Sequence, residues 1–282
     1  MSRIIPKYYE YDLGGRTRMD ATVALANSDP MLISRRLIDG AVATRKFGAA
    51  LSVGTSLVPI ATSQVYRTPV AAAALEVVSD STNDNGTTSP LGSGALSVEV
   101  IGIADWNVGE VSETVTLNGT TAVALSTSFL RVYRMKVATS GSYATSVAPS
   151  HSSTITLRES GAGDEWASMS SVGGFGLGQS EIAAYSIPTG KVGIMSKASI
   201  FVEASKTGTV IFFERPNADI VTAPFDVMRS KLTIHNVDGG FNADPIVPYG
   251  PFIGPCDVGW MGAATSQTAN ISASFTIVIF DA

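Results

Sequence analysis

The sequence predicts an all-β protein: an antiparallel β-sandwich or jelly-roll-like body behind an extended N-terminal arm. Three observations carry this. From residue 70 onward, apolar and polar residues alternate in short runs and a helical period is hardly found. Turn residues separate the runs, as in Pro188-Thr-Gly190, Lys206-Thr-Gly208 and Asp238-Gly-Gly240. Between them lies a segment that reads as a β-hairpin, with Val115 and Leu117 on one arm and Val123 and Leu125 on the other. Its turn, Asn118-Gly119, tolerates the positive φ of a tight primed turn.

Residues 1–67 form the expected arm. Gly14-Gly15, Gly40, Gly48 and Gly54 interrupt it too often for long regular elements, and the one helix it suggests is short: Met31 to Ile38, capped by Ser28 or Asp29 with Pro30 at its first position. Ile4, Ile5, Tyr8, Tyr9, Tyr11, Val23 and Leu25 are too many apolar groups for a solvated tail. Together with Arg3, Lys7, Arg16, Arg18, Arg35 and Arg36 they describe a sticky, basic assembly arm.

Residues 68–282 form the expected sandwich body. Strands are predicted at Ala74–Val78, Leu96–Val100, Ile155–Arg158, Glu181–Ile187, Val192–Met195, Ala198–Glu203, Thr209–Phe213, Lys231–His235 and Ile271–Phe280, with another near Phe129–Met135. The last turns apolar on both faces, as a central or covered strand does. The polar stretch Ser79 to Gly94 would be mobile in isolation, and a neighbouring subunit is expected to hold it.

Composition limits the function. The 282 residues are 45% hydrophobic, enough for a real core, yet only 15% charged against about 25% in average domains. So little charge suits a surface hidden in an assembly better than a free monomer. Residues 1–67 carry nine Lys/Arg against five Asp/Glu, and residues 68–282 carry ten against nineteen. No Lys or Arg falls between Arg67 and Arg131, so the body is not expected to bind nucleic acid, which needs clustered cations. The single cysteine, Cys256, excludes an intrachain disulfide. No window has the length of a membrane span or a signal peptide, so membrane partners are not expected and exit from a cell would be by lysis.

Residues for chemistry are sparse. His151 and His235, the two histidines, have no metal-like spacing and read as surface or strand-end residues; no metal or cofactor is expected. No Gly-x-Ser-x-Gly elbow is present. Gly173-Gly-Phe-Gly-Leu-Gly178 lacks the Lys-Ser/Thr sequel and the helix of a phosphate cradle, and reads as a turn. Asp80, Asn83, Asp84 and Asn85 before Gly86 resemble a calcium loop in composition but not in register, so they too read as a turn. Asp164 and Glu165 are adjacent and diverge on a strand, which leaves no carboxylate pair for glycoside cleavage. Trp166, in a polar Gly-Asp-Glu-Trp-Ala context, is the candidate for stacking on a ligand such as a sugar, against burial for it, Trp106 and Trp260 alike.

Leu75-Glu-Val-Val-Ser-Asp-Ser-Thr-Asn-Asp84, Gly94-Ala-Leu-Ser-Val-Glu-Val-Ile-Gly-Ile-Ala-Asp-Trp-Asn107, Ser112-Glu-Thr-Val-Thr-Leu-Asn-Gly-Thr-Thr121, Phe129-Leu-Arg-Val-Tyr-Arg134 and Ala184-Tyr-Ser-Ile-Pro-Thr-Gly-Lys191 resemble a recurrent pattern. The pattern belongs to structural proteins of tailed bacteriophages of aquatic bacteria. The resemblance implies location in the virion, as shell, decoration, connector or baseplate, with synthesis in the host cytoplasm and no enzymatic activity. The implied partners are further copies of the chain, as a homo-oligomer, and other virion proteins. The alternatives are a receptor- or glycan-binding protein at a capsid or tail tip and, with little support, a polysaccharide depolymerase. The arm reading also predicts that deletion of residues 1–67 leaves a folded body.

Overall fold

The computed structural model describes residues 9–11, 17–19, 40–141, 150–170, 178–220, 228–243 and 248–282. Among them there is no helix, and the strand pairings are antiparallel. The protein is all-β. β1 (Tyr9–Tyr11) and β2 (Thr17–Met19) pair with each other, and β3 (Ala41–Val53) and β4 (Val58–Pro59) follow. Next come β5 (Leu75–Ser79), β6 (Ala95–Ile103), β7 (Val111–Thr116), β8 (Val123–Ala124), β9 (Arg131–Ser140), β10 (Ile155–Glu159) and β11 (Glu165–Met169). The chain ends with β12 (Ala184–Ile187), β13 (Lys191–Val202), β14 (Thr207–Pro216), β15 (Arg229–Asp238), β16 (Gly240–Ala243), β17 (Tyr249–Ile253), β18 (Cys256–Ala264) and β19 (Ala269–Asp281).

β3, β4 and β12 to β19 build the larger of two sandwiches. One sheet has the order β16-β13-β19-β3, with β17 also on β13; the other has the order β12-β18-β14-β15, with β4 on β18. Strand alternation gives each sheet one apolar face: along β19, Ile271, Ala273, Phe275 and Ile277 are buried while Ser272, Ser274 and Thr276 are half-exposed on the other side. The inward faces meet around Phe212 of β14. Its ring lies 5.7 Å from Phe252 of β17 and from Phe275 of β19, and 5.1 Å from Trp260 of β18. Tilted and edge-on rings at these separations add attraction beyond their buried area.

The smaller sandwich, β5 to β11, is inserted between β4 and β12. Its sheets run β11-β10-β5-β8 and β7-β6-β9. Leu75, Val77, Ile155, Leu157 and Trp166 of one pack with Val98, Val100, Val115 and Met135 of the other. The chain therefore leaves the larger sandwich, completes a second core and returns.

Three expectations need correction. The boundary at residues 67/68 does not divide arm from body, because β3 pairs with β19 from Ala41 opposite Phe280 to Val53 opposite Ala269. Gly48, Arg45 and Lys46 dilute the alternation of β3, and its partner lies more than 200 residues away, so only tertiary pairing reveals it. The hairpin at Asn118-Gly119 is a crossover: β7 pairs with β6, while β8 pairs with β5 in the opposite sheet. The turn itself is real, with Gly119 at φ 57° and Thr121 N–H donating to Asn118 O at 3.0 Å. Its flanking apolar residues face one core from two sheets, a pattern indistinguishable in sequence from two paired arms. The Ser79–Gly94 loop, lastly, is held by its own chain. Asp84, fully buried, accepts from Ser79 Oγ at 2.6 Å and from the N–H groups of Ala95, Ser152 and Ser153 at 2.8, 2.7 and 3.2 Å.

Candidate functional site

Among the described residues, a dense polar constellation lies where the two sandwiches meet. β9 of the smaller one begins at Arg131 and β18 of the larger one carries Asp257; both side chains have no exposed surface. Arg131 donates from Nε to Asp257 Oδ1 at 3.0 Å and from Nη2 to Oδ2 at 2.8 Å, a two-pronged geometry. Its Nη1 donates to the carbonyls of Pro69 and Leu130, each at 2.7 Å, and its guanidinium lies 4.9 Å from the Trp106 ring. Arg215 Nη1 reaches Asp257 Oδ2 at 3.4 Å, and Ser186 Oγ donates to Oδ1 at 2.5 Å. Tyr66 hydroxyl lies 2.8 Å from Ser186 Oγ. Burial opposes the charge on Arg131, and the Asp257 carboxylate outweighs it, holding the guanidinium above its ordinary pKa. Burial, then the same carboxylate, pushes the Tyr66 phenol well up and keeps it neutral.

A second contact bridges the joint beside the first. Lys46 of β3 points its Nζ at Tyr133 of β9 and Tyr185 of β12, 4.4 and 4.8 Å from the ring centroids, with Glu110 Oε2 at 3.6 Å. The two rings stack on each other at 4.9 Å. Burial lowers the Lys46 pKa to about 8, against the opposing pull of Glu110. Cation and quadrupole attract strongly where water is excluded.

Chemically the constellation is a clamp. Asp257 is occupied by two guanidiniums and a hydroxyl and has no exposed surface, so neither it nor Ser186 faces a substrate. A Ser-carboxylate contact without an adjacent imidazole lacks the base that nucleophilic catalysis needs. What the groups do is fix one orientation of sandwich against sandwich, since the Arg131 guanidinium and the Ser186 hydroxyl each have specific acceptors at the joint.

Of the expected arm residues, Arg3, Lys7, Tyr8, Arg16, Arg35 and Arg36 lie outside the described residues; Tyr9 and Arg18 fall in β1 and β2, opposite Met19 and Glu10. Residues 173–177 of the glycine segment and the expected helix at 31–38 also lie outside them. Trp166, the stacking candidate, takes the other course, burial: it is 2% exposed in the smaller core, with Nε1 donating to Glu159 Oε1 at 3.3 Å. Its polar neighbours misled, because strand alternation sends them to solvent and the indole inward; Asp164 pairs with Arg67 at 2.9 Å. His151 is likewise fully buried instead of a surface residue, with burial lowering its pKa, and His235 is exposed on β15. Among the described residues no group of three His, Cys, Asp or Glu side chains has metal-holding geometry.

The joint itself was missed in the sequence. Its signal was a charged residue inside an apolar strand run, once as Phe-Leu-Arg131-Val-Tyr and once as Cys-Asp257-Val-Gly-Trp, one cation and one anion.

No family model matches the chain, and no curated protein matches it in sequence. Among solved structures, the VP2 subviral particle of infectious bursal disease virus aligns over 86% of this chain and 77% of its own at 10% identity, with a TM-score of 0.19. At that score two chains need not share a fold.

Proposed function

We propose that this chain is a non-enzymatic virion structural protein that assembles as a homo-oligomer in a tailed-phage particle, with the larger sandwich acting as a jelly roll. The observation that carries the reading is strand order. Leaving out the two-residue β4 and the insert, and numbering from β3 as first and β12 as second to β19 as eighth, with β16 and β17 together as sixth, the two sheets read 6-3-8-1 and 2-7-4-5. The pairs 1-8, 2-7, 3-6 and 4-5 are those of one long antiparallel ribbon rolled up, which is how a jelly roll is built. Such rolls serve capsid shells, lectins and cupins. A cupin needs a chamber between its sheets, whereas here Phe212, Phe252, Trp260 and Phe275 fill that space. A filled roll with a second sandwich clamped to it by buried ion pairs suits a part that keeps its shape under load. The glycan-binding alternative loses Trp166, the residue chosen for it.

Labelled antibody on purified particles tests the reading. Regular decoration of capsid or tail is the expected result; absence from particles, with the protein remaining in the lysate, would overturn it.

A further inference from the structure

We propose that Asn85 and Asn118 are latent deamidation sites which the folded insert holds shut, so that their conversion to aspartate or isoaspartate records opening of the inserted sandwich. The proposal does not depend on the virion reading.

The two asparagines precede Gly86 and Gly119, and no other Asn-Gly step occurs in the chain. In such a step the glycine nitrogen, once a base has taken its proton, attacks the asparagine Cγ. The Cγ–Nδ2 bond breaks, ammonia leaves and a succinimide remains. Water then opens the ring at either carbonyl, to aspartate or isoaspartate, so that one water enters for each ammonia lost. Glycine favours the attack because it has no Cβ to crowd the nitrogen. The fold nonetheless needs glycine at both places: a Cβ at Gly86 would lie 2.4 Å from Leu96 O, and Gly119 has φ 57°.

Hydrogen bonds close both steps. Gly86 N–H donates to Leu117 O and Gly119 N–H donates to Asp84 O, each at 2.9 Å, so both nucleophilic nitrogens are engaged. The flanking backbone is pinned as well: Asn85 O accepts from Gly92 N–H at 2.8 Å, and Gly119 O accepts from Ser79 N–H at 3.1 Å. Asn85 Oδ1 accepts from the N–H groups of Thr87 and Thr88 at 2.8 and 3.2 Å. The Thr87 hydroxyl lies 2.9 Å from that oxygen and 2.8 Å from Asn118 Oδ1. Asn85 and Asn118 thus face each other across an isolated bridge, within the knot that Asp84 ties to Ser152 and Ser153. Ring closure requires the asparagine to rotate and the glycine N–H to come free, and both happen together only when the loop opens. Isoaspartate adds a methylene to the main chain, and either product adds a carboxylate beside buried Asp84. A loop that has opened and reacted therefore does not reclose in its old register.

The test is peptide mapping by mass spectrometry on the full-length protein, held at mildly alkaline pH either native or unfolded in guanidinium chloride. The expected result is conversion at both asparagines in the unfolded chain, and conversion slower by about tenfold or more in the native protein. Native conversion as fast as unfolded would overturn the protection, and no conversion in the unfolded chain would overturn the sites. Asp84→Ala, checked for a cooperative melt, removes the carboxylate that holds Ser79, Ala95, Ser152 and Ser153, and should move the native rate toward the unfolded one. A folded variant that keeps the wild-type rate would take the protection away from the knot, and the proposal would fall with it.

Discussion

Arg131 and Asp257 stand 126 residues apart in sequence and meet, wholly buried, through hydrogen bonds of 2.8 and 3.0 Å that join the inserted sandwich to the larger one. The pair is asymmetric, because Asp257 also serves Arg215 and Ser186. Asp257→Ala strips the buried Arg131 guanidinium of its counter-charge and takes one partner from Arg215, and should cost about 3 to 5 kcal/mol. Arg131→Met leaves Asp257 with Arg215 and should cost visibly less. Urea unfolding of both variants checks the order; equal losses would mean that Arg215 does not share the carboxylate.

Trp166→Ala should cost about 3 to 5 kcal/mol, since it empties a fully packed site in the smaller core. All three tryptophans are under 10% exposed, so native fluorescence should be blue-shifted and acrylamide should quench it weakly. A readily quenched fraction in the wild type, lost in the variant, would contradict the burial.

Lys46 gives stability a pH signature. Its folded pKa of about 8 lies below the ordinary 10.5, so between those values the unfolded chain binds more protons than the folded one. The Lys46 contribution to stability therefore rises with pH across that window, by at most about 1.4 kcal/mol per pH unit, with the penalty fully present below pH 8. From about pH 9 the buried Cys256 thiol, pushed up by burial, opposes it, because the unfolded chain loses that proton first. The phenols of Tyr66 and Tyr133 are shifted upward by burial, so above pH 10 their unfolded forms release protons first and stability falls again. Lys46→Met should flatten the rise between pH 8 and 10 in denaturant titrations. An unchanged slope would assign it to another group.

Much of this architecture was legible in the sequence, and the parts that were not share a cause. β6, β10, β14 and β19 alternate over much of their lengths and bury one face, so period alone locates them. β3 and β18 do not. β18 is buried along almost its whole length and includes Gly259 and Gly262, so no polar face marks it. The division into two cores was hidden for a related reason: the larger sandwich draws on strands far apart in the chain, and the shift to acidic residues after Arg67 reads as a change of surface and not of core. The clamp was hidden because its meaning is in the pairing; Arg131 or Asp257 alone is only a charge among apolar neighbours.

Gly48 marks a place where β3 presses closely on the rest of the larger sandwich. A Cβ there would sit 2.1 Å from Ile60 O and 2.4 Å from Ala183 N, two atoms that bond to each other at 3.0 Å. Gly48→Ala must push β3 away or break that bond, at a cost of about 3 kcal/mol or more. Gly54, with open space around the same position, is the control, and Gly54→Ala should change the melting temperature little. Equal effects at the two sites would mean that β3 has room to move.

Truncation separates arm from body. Deleting residues 1–67 removes β3 and β4, and with β3 the whole ladder along β19 from Phe280 to Ala269. That exposes the inward side of β19, including Phe275 and Ile277, and takes Ala50, Val53 and Ile60 from the core. Such a chain should be insoluble or molten, with dispersed near-ultraviolet signals lost. Deleting residues 1–39 starts the chain at Gly40, whose O accepts from Asp281 N at 3.2 Å, and leaves every pairing of β3 intact. That protein should melt cooperatively, close to the full-length temperature, yet enter particles poorly if the basic residues Arg3, Lys7, Arg16, Arg18, Arg35 and Arg36 anchor it. Normal incorporation of the shorter deletion would remove the arm from the assembly mechanism without touching the fold.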